Sequence, residues 1–194
     1  MEELLFLCHR IPYPPNKGDK IRSFNLLKHL AKDYRVHLAG FIDDPADERY
    51  REAVQEYCEQ MCLLPLQPGQ QKWRSLSGLA SGEALTLPYF RNRHLQQWVD
   101  RLVAERGVNK AFVFSSAMAQ YVEPYPHLHR VADFVDVDSD KWRQYAKNKQ
   151  WPASWVYHRE ARRLFDYERR IAGEFNATVF VSDEEAGLFA DMAP

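Results

Sequence analysis

Hydrophobic residues along this chain fall into short apolar runs separated by amphipathic stretches. The first run, Leu4 to Cys8, has the length of a buried strand and is followed by a proline-rich loop. In the stretch after that loop, apolar residues recur at three- and four-residue steps: Ile21, Phe24, Leu27 and Leu30. Because that spacing puts the side chains on one face of an α-helix, a strand, a loop and an amphipathic helix are predicted here.

The same alternation continues to the end of the sequence. Further strands are predicted over residues 36–41, 61–66, 110–114, 131–137 and 177–181. Helices are predicted over residues 46–60, 91–106, 140–147 and 154–174, and a capping box at 182–185 begins a last one. Strands that alternate with helices are typical of an α/β domain whose mostly parallel sheet is covered on both faces. No internal repeat or linker interrupts the pattern, so residues 1–194 are interpreted as one domain.

Sheets of this kind bind ligands beyond the carboxyl ends of their strands. That rule selects four loops: those after Cys8, Phe114 and Val137, and the one at Ser182. Residues 67–82 are the least regular segment. They are interpreted either as a lid or acceptor-facing loop, or as a surface connection packed on the core.

Composition narrows the class of protein. Apolar residues make up 45% and charged residues 27% of the 194 positions, which is normal for a soluble globular protein. The net charge of −1 gives no overall attraction to a membrane surface or to nucleic acid, so no nucleic-acid partner is predicted. The acidic start Met1-Glu2-Glu3 does not match a signal peptide, and no stretch approaches the length of a membrane span.

The cysteines point to a reducing compartment. There are three of them, Cys8, Cys58 and Cys62, and an odd number favours the cytoplasm. Cys58 and Cys62 have a spacing that could bind a metal from a helix. No companion pair of ligands lies nearby in the sequence, so no metal site is predicted.

The start of the first helix carries an unusual charge pattern. Lys17, Lys20 and Arg22 lie at the positive end of the helix dipole, where a cation costs about 0.3–1 kcal/mol at an exposed site. Gly18 lies in the loop, and Asp19 is predicted to cap the helix. The cations are explained either by an anion that docks at this helix start, with or without chemistry, or by accidental surface charge. Neither a dinucleotide fingerprint nor a P-loop is present.

An acidic run begins in the fifth predicted strand and continues beyond it: Asp133, Asp136, Asp138 and Asp140. Asp136 and Asp138 are two residues apart on a predicted strand end, so their side chains are expected to project to the same side. The pair fits a Mg²⁺-dependent phosphohydrolase of the Asp-x-Asp type, a metal–nucleotide site of one glycosyltransferase fold, or a sugar-binding site without metal. It also fits helix capping with ion pairs to Lys141 and Arg143.

Two further features each allow two interpretations. His9 and Arg10 follow the first strand and either orient a ligand or bond to the local backbone. Glu168 falls on the apolar side of the longest helix, and a buried carboxylate needs a partner. That position is compatible with a structural role, in which Glu168 pairs with a cation or a backbone donor, and with a catalytic role.

Five segments carry a resemblance that runs from end to end of the chain. They are LCHRIPYPPNKGDKIRSFNLLKHL, VHLAGFIDDPAD, FVDVDSDKW, YERRIAGEF and FVSDEEA. Together they resemble the sugar transferases of exopolysaccharide clusters associated with the PEP-CTERM sorting system, which belong to glycosyltransferase family four. The resemblance covers the amino-terminal half of such an enzyme.

That resemblance implies a fold and an activity. The fold is half of the GT-B architecture, in which two Rossmann-like domains face each other across a cleft. This chain would be the acceptor-side domain, and its partner would be the missing carboxyl-terminal domain that grips the nucleotide-sugar. The implied reaction moves a sugar, with retention of configuration and without metal or other cofactor, from that donor to a sugar or lipid-linked acceptor. Alone, the chain is expected to be inactive, and the implied location is the cytoplasm, including the inner face of the membrane.

The resemblance also implies site residues. The loop with Lys17, Gly18 and Asp19 takes the place of the family's glycine-rich loop near the donor phosphates, which Lys20 also borders. Asp136 occupies the place of a histidine that family members carry near the transferred sugar. The implied substrate-binding residues are His9, Lys17, Gly18, Asp19, Lys20 and Asp138, and the implied catalytic residue is Asp136.

Overall fold

Six parallel strands form one sheet in the order β3–β2–β1–β4–β5–β6 in the computed structural model, which describes residues 1–192. The strands are β1 (Glu2–Cys8), β2 (Tyr34–Ile42), β3 (Gln60–Pro65), β4 (Lys110–Phe114), β5 (His129–Val135) and β6 (Ala177–Phe180). This is a Rossmann-like α/β fold, and the predicted fold class is confirmed. The carboxyl-terminal domain implied by the resemblance lies outside the described residues.

Helices fill every connection between strands. They are α1 (Gly18–Leu30), α2 (Arg51–Gln55), α3 (Pro68–Ser75), α4 (Ser77–Ser81), α5 (Thr86–Phe90), α6 (Arg93–Arg106), α7 (Asp138–Lys147), α8 (Ala153–Glu174) and α9 (Asp183–Met192). Two 3₁₀ helices, Pro45–Tyr50 and Ser116–Tyr121, complete the set. None of the helices described in residues 1–192 is both long and apolar enough to cross a membrane.

The central strand β1 is buried on both faces. Leu5 and Leu7 pack into one core with apolar residues of α6 and α8, whereas Leu4, Phe6 and Cys8 pack into a second core with α1 and α2. Because neighbouring side chains of a strand point to opposite faces, a continuous apolar run is what such a strand requires. The strand order reverses between β1 and β4, which opens a crevice at their carboxyl ends.

The helix predicted over residues 46–60 is shorter and less regular than expected. Residues 45–50 form a 3₁₀ helix, and α2 ends at Gln55. The Glu59 amide then donates to the Val36 carbonyl at 2.8 Å, because the chain must leave the helix to pair β3 with β2. Cys58 therefore lies beyond the helix that was predicted to include it, whereas Cys62 lies in β3, within the strand predicted over residues 61–66.

The end of β5 also differs from the prediction. The strand stops at Val135, whose φ of 62° is left-handed and rare for a β-branched residue. Asp136 therefore lies in a loop and Asp138 is the first residue of α7, so the expected placement of both on a strand end is wrong. The helix starts without a side-chain cap, because the Ser139 hydroxyl bonds elsewhere, to Glu168.

Candidate functional site

A cavity of about 880 Å³ opens at the carboxyl ends of the strands, around the point where their order reverses. His9 and Arg10 reach it from the end of β1, Ser115 from β4, Asp136 from β5 and Val181 from β6. The four predicted loops therefore contribute to, or directly adjoin, one cavity. Its size falls within the range of about 300–1,000 Å³ that is typical of small-molecule sites.

His9 is held in a fixed position at the end of β1. Its ring stacks on Phe114, with centroids 6.0 Å apart, and meets Phe90 edge-on at 6.2 Å. Its Nε2 lies 3.4 Å from Asp19 Oδ2, and Arg10 Nε lies 3.3 Å from the same oxygen. The hydrogen bond with His9, aided by the charge of Arg10, holds the pKa of Asp19 well below its usual range. Asp19 is therefore an ionised anchor between the first loop and α1.

Asp136 and Asp138 are brought together by a lysine. Lys141 Nζ lies 2.5 Å from Asp136 Oδ2 and 3.3 Å from Asp138 Oδ1, and all three residues line the cavity. Burial raises the pKa of Asp138, against the attraction of Lys141. Burial alone would lower the pKa of Lys141, but its bond to Asp136 and the charge of Asp138 raise it. The lysine is thus a cation that offsets part of the negative charge of this acidic pair.

Arg22 closes another side of the cavity. Its Nε donates to the buried Asp133 Oδ2 at 2.8 Å, and its Nη2 reaches the Phe180 carbonyl at 3.5 Å. The second oxygen of Asp133 accepts from the Val135 amide at 2.9 Å. Arg22 therefore ties α1 to β5 and β6 while its guanidinium borders the cavity.

The predicted phosphate-binding stretch is only partly at the cavity. Gly18 and Asp19 line it, so the N-terminal end of α1 faces this space. Lys17 is exposed and is not among the lining residues. Lys20 is 2% exposed and forms an ion pair with Asp47, so its expected position beside a donor phosphate is wrong. The predicted capping role of Asp19 is wrong as well, because Lys17 is the N-cap residue and the Asp19 carboxylate contacts His9.

The irregular segment after β3 forms one wall of the cavity. Lys72 and Ser75 of α3 line it, followed by Thr86, Tyr89 and Phe90 of α5. This arrangement favours the interpretation of residues 67–82 as a segment that faces a ligand. Lys72 is an exposed cation that pairs with no carboxylate within residues 1–192.

The long helix α8 fixes that wall. The buried Glu160 carboxylate accepts from the amides of Leu85 at 2.5 Å and Thr86 at 2.9 Å, and from Thr86 Oγ1 at 2.7 Å. The next residue back, Arg159, donates to the carbonyl of Gly78 at 2.7 Å. The Glu160 bonds satisfy free N–H groups at the start of α5 and set its position beside the cavity.

Glu168 is the carboxylate predicted on the apolar side of α8, and it is 0% exposed. It accepts from Ser139 Oγ at 2.6 Å and from Ser116 Oγ at 3.2 Å, so its partners are hydroxyls and not cations. Burial raises its pKa to about 8, and the charge of Asp138 adds to that rise. The buried carboxyl group of Glu168 therefore keeps its proton to higher pH than an exposed glutamate does.

Two residues at the cavity have left-handed backbones. Ser115, which directly follows β4, has a φ of 82°, and Val135, the last residue of the neighbouring strand β5, has a φ of 62°. Such conformations cost about 1–3 kcal/mol each and persist where the surrounding structure enforces them. Here the Ser115 amide donates to the Asp133 carbonyl at 2.8 Å, and the Val135 amide donates to the Asp133 side chain.

The lining is suited to an anionic, sugar-like ligand. The start of α1 supplies N–H groups and a positive dipole end, and Lys72 supplies an unpaired ammonium. Tyr89, Phe90 and Trp142 supply aromatic surface. Among residues 1–192, no three or more His, Cys, Asp or Glu side chains are grouped to hold a metal ion.

Sequence reasoning missed several lining residues. Lys72 and Thr86 belong to a connection that no strand-end rule selects, and only the packing of α3 and α5 brings them to the cavity. Trp142 lies inside the FVDVDSDKW segment, so its position beside Lys141 was a usable signal. Ser115 was within reach too, because it directly follows β4.

Comparison with known proteins yields one distant likeness of note. No protein-family model and no curated protein matches the chain. Among solved structures, the chain is similar to the N-terminal domain of a trehalose-6-phosphate phosphatase from Candida albicans, with 10% identity and a TM-score of 0.44. The match covers 92% of this chain and 48% of that one, so the chain spans about half of that neighbour's length. This likeness is too distant to bear on function.

Proposed function

We propose that this chain is the acceptor-side domain of a retaining glycosyltransferase of family four, which moves a sugar from a nucleotide-sugar to an acceptor in exopolysaccharide assembly. The observation that carries the proposal is that residues from separate parts of the sequence lie at one place in the fold. Five of the seven residues implied by the family resemblance line a single cavity at the strand-order reversal: His9, Gly18, Asp19, Asp136 and Asp138. They come from three separate parts of the sequence.

The chemistry of the lining supports this assignment. Transfer with retention leaves negative charge on the departing diphosphate, which fixed cations and helix N-termini stabilise without reorganisation. The start of α1 and Lys72 would serve that purpose. Asp136 is 40% exposed on its side chain, so it can accept a hydrogen bond from a sugar hydroxyl while Lys141 neutralises its charge. Lys20 takes no part in this site, since its ammonium is buried against Asp47.

The Mg²⁺-dependent phosphohydrolase is a weaker candidate. Such an enzyme needs its two aspartates directed at a metal ion and a phosphate, whereas here the Lys141 ammonium bonds to both Asp136 and Asp138. The remaining alternative is an α/β module that binds an anion without chemistry. It shares the cavity lining and differs only in turnover.

The decisive experiment measures sugar transfer by the protein made from its complete coding region. A panel of nucleotide-sugars is incubated with lipid-linked and soluble sugar acceptors, and the product's anomeric configuration is determined. Lys72→Ala is expected to lower kcat/KM about tenfold or more, in line with the loss of a charged contact. Arg74→Ala is the matched control, because Arg74 lies on the same helix but not among the cavity-lining residues.

Three outcomes would overturn the proposal. Binding of nucleotide-sugar without transfer to any acceptor indicates the non-catalytic module. Release of inorganic phosphate that requires Mg²⁺ and disappears in Asp136→Asn indicates the phosphohydrolase. Equal kcat/KM values in the Lys72 and Arg74 variants would show that the cavity is not where the reaction takes place.

A further inference from the structure

A buried carboxyl group lies behind the cavity-lining side chains of Asp136, Asp138 and Lys141. It belongs to Glu168 of α8, which is 0% exposed and is not itself among the lining residues. Its Oε2 accepts from Ser139 Oγ at 2.6 Å, and Ser139 directly follows Asp138 in α7. Glu168 therefore contacts the base of this cluster without reaching the space that a ligand would fill.

The same carboxyl group also holds the loop after β4. Its Oε1 accepts from Ser116 Oγ at 3.2 Å. Ser116 directly follows Ser115, which lines the cavity and turns the chain with a left-handed backbone. Because β4 and β5 are neighbours in the sheet, Glu168 joins the two loops at their carboxyl ends through one oxygen each.

Packing alone does not account for a carboxyl group at this position. The side chains one turn away on the same helix are apolar: Leu164, Phe165, Ile171 and Ala172. Burial of a carboxyl group among such side chains costs free energy, which its hydrogen bonds must offset. A leucine of similar size would avoid that cost. What distinguishes the glutamate is therefore its pair of bonds to two different loops.

We propose that Glu168 is a positioning residue that fixes the cluster of Asp136, Asp138 and Lys141 in the cavity. The start of α7 has no side-chain cap of its own, because the Ser139 hydroxyl bonds to Glu168. The first turn of α7 carries Asp138, and Lys141 follows one helical turn later. The bond from Ser139 to Glu168 therefore determines where both side chains lie. The inference goes beyond sugar transfer, since it applies to any ligand of the cavity.

The amine of Lys141 reports the position of this turn. Its Nζ lies 2.5 Å from Asp136 Oδ2 and 3.3 Å from Asp138 Oδ1. Burial lowers the pKa of Lys141, but these two contacts raise it overall. Hydrogen bonds weaken steeply when their distance or angle departs from the ideal, so a displaced α7 would lose them. The pKa of Lys141 would then fall, and more of its amine would be unprotonated and reactive at a given pH.

The test is competitive acetylation of the purified protein with acetic anhydride, with the rate at each lysine measured by mass spectrometry. The wild type is compared with Glu168→Leu and Glu168→Gln at about pH 6.5, below the pKa of the Glu168 carboxyl group. Leucine accepts neither bond, so acetylation of Lys141 should be faster by about threefold or more. Glutamine accepts from one hydroxyl and donates to the other, so the rate should stay within about 1.5-fold of the wild type. Lys147, the last residue of α7, is the internal reference.

Two further variants separate positioning from a general loss of stability. Glu160→Leu removes a similarly buried carboxyl group from the same helix, but Glu160 holds α5 and not the start of α7. It should change the acetylation of Lys141 less than about 1.5-fold. Ser139→Ala removes one hydroxyl and should increase that acetylation about twofold or more, with no further increase in the Glu168→Leu background. If Glu168→Leu does not fold, Ser139→Ala tests the same bond.

Sugar transfer provides a second measurement, which rests on the proposed function. Glu168→Leu should lower kcat/KM about tenfold or more, because displacement of lining groups is costly, and Glu168→Gln should restore most of the loss. Absence of transfer by the wild type would contradict the proposed function alone, since the acetylation rates still test the position of α7.

The positioning role is contradicted by any of three results. The first is equal acetylation of Lys141 in the wild type and in Glu168→Leu. The second is equal acetylation in the leucine and glutamine variants, which would show that the two hydroxyl bonds do not matter. The third is an increase in Glu160→Leu as large as that in Glu168→Leu, which would assign the effect to general loosening of the fold.

Discussion

Thr86 Oγ1 donates to Glu160 Oε1 at 2.7 Å, and this bond joins α5 at the cavity to α8 across 74 residues of sequence. The Thr86 amide donates to the same oxygen at 2.9 Å. Glu160 is 1% exposed, so its charge is compensated by N–H and O–H donors at the start of α5 and not by solvent. The cavity wall is therefore positioned by a helix that lies outside it.

The first prediction concerns this anchor. Glu160→Ala leaves the Leu85 and Thr86 amides without their acceptor, so we expect the free energy of unfolding to fall by about 3 kcal/mol. Urea denaturation at pH 7 provides the measurement. Glu105→Ala, on the exposed side of α6, should stay within about 0.5 kcal/mol of the wild type. Equal losses in the two variants would contradict the anchoring role.

The second prediction concerns the pH dependence of stability. The folded state holds the Glu168 proton with a pKa of about 8, whereas the ordinary value is 4.5. Between these two values the folded state binds more protons than the unfolded state, so the contribution of Glu168 to stability falls as pH rises, by up to about 1.4 kcal/mol per pH unit. Glu168→Gln removes this term. The variant should gain stability relative to the wild type from about pH 4.5 to pH 8, and the difference should be constant above that range. Denaturant titrations over this series test the slope, and parallel curves would show that folding does not raise the pKa of Glu168.

The third prediction separates two neighbouring lysines. Lys20 is 2% exposed and paired with Asp47, so Lys20→Ala leaves a largely buried carboxylate alone and should cost about 3–5 kcal/mol of stability. Lys17 is exposed, and Lys17→Ala should change stability by less than about 0.5 kcal/mol. Thermal and urea unfolding of the two variants provide the comparison. The double change Lys20→Met, Asp47→Leu should recover much of the loss, because it removes both charges at once.

The fourth prediction uses the left-handed backbone of Ser115. At a φ of 82°, glycine avoids a steric cost of about 1–3 kcal/mol. It also raises the conformational entropy of the unfolded chain, which reduces this gain in stability by about 0.5–1 kcal/mol. Ser115→Gly should therefore be more stable than the wild type by about 1 kcal/mol. Ser115→Ala removes the hydroxyl but keeps the Cβ, so it should show no gain. If the alanine variant is as stable as the glycine variant, the backbone at this position carries no strain.

Most of the fold could be predicted from local patterns. The apolar run of β1 and the helical spacing of Phe24 and Leu27 both predicted the observed elements correctly. These side chains are buried, and buried positions recur along the sequence with the period of the strand or helix that carries them. Element ends were less predictable. The chain leaves α2 early because Glu59 must pair with Val36, and that constraint comes from 23 residues away in sequence.

The site was predictable to the extent that it follows strand ends. His9, Asp136 and Asp138 directly follow β1 and β5, and the rule for parallel sheets selects those positions without further information. Side-chain partners could not be read in this way. Whether Lys20 faces a ligand or Asp47 depends on where residues 45–50 pack. The charge pattern of α1 alone does not specify that packing.

The order of the strands also bears on how the chain is made. β1, β2 and β3 can pair once residue 65 has left the ribosome, but the other edge of β1 waits for β4, which ends at residue 114. At roughly 5–20 residues per second, that edge stays open for about 2–10 s during synthesis. An unpaired apolar edge is a template for unwanted strand pairing. Chaperone demand should therefore be greatest in this interval, before the second half of the sheet exists.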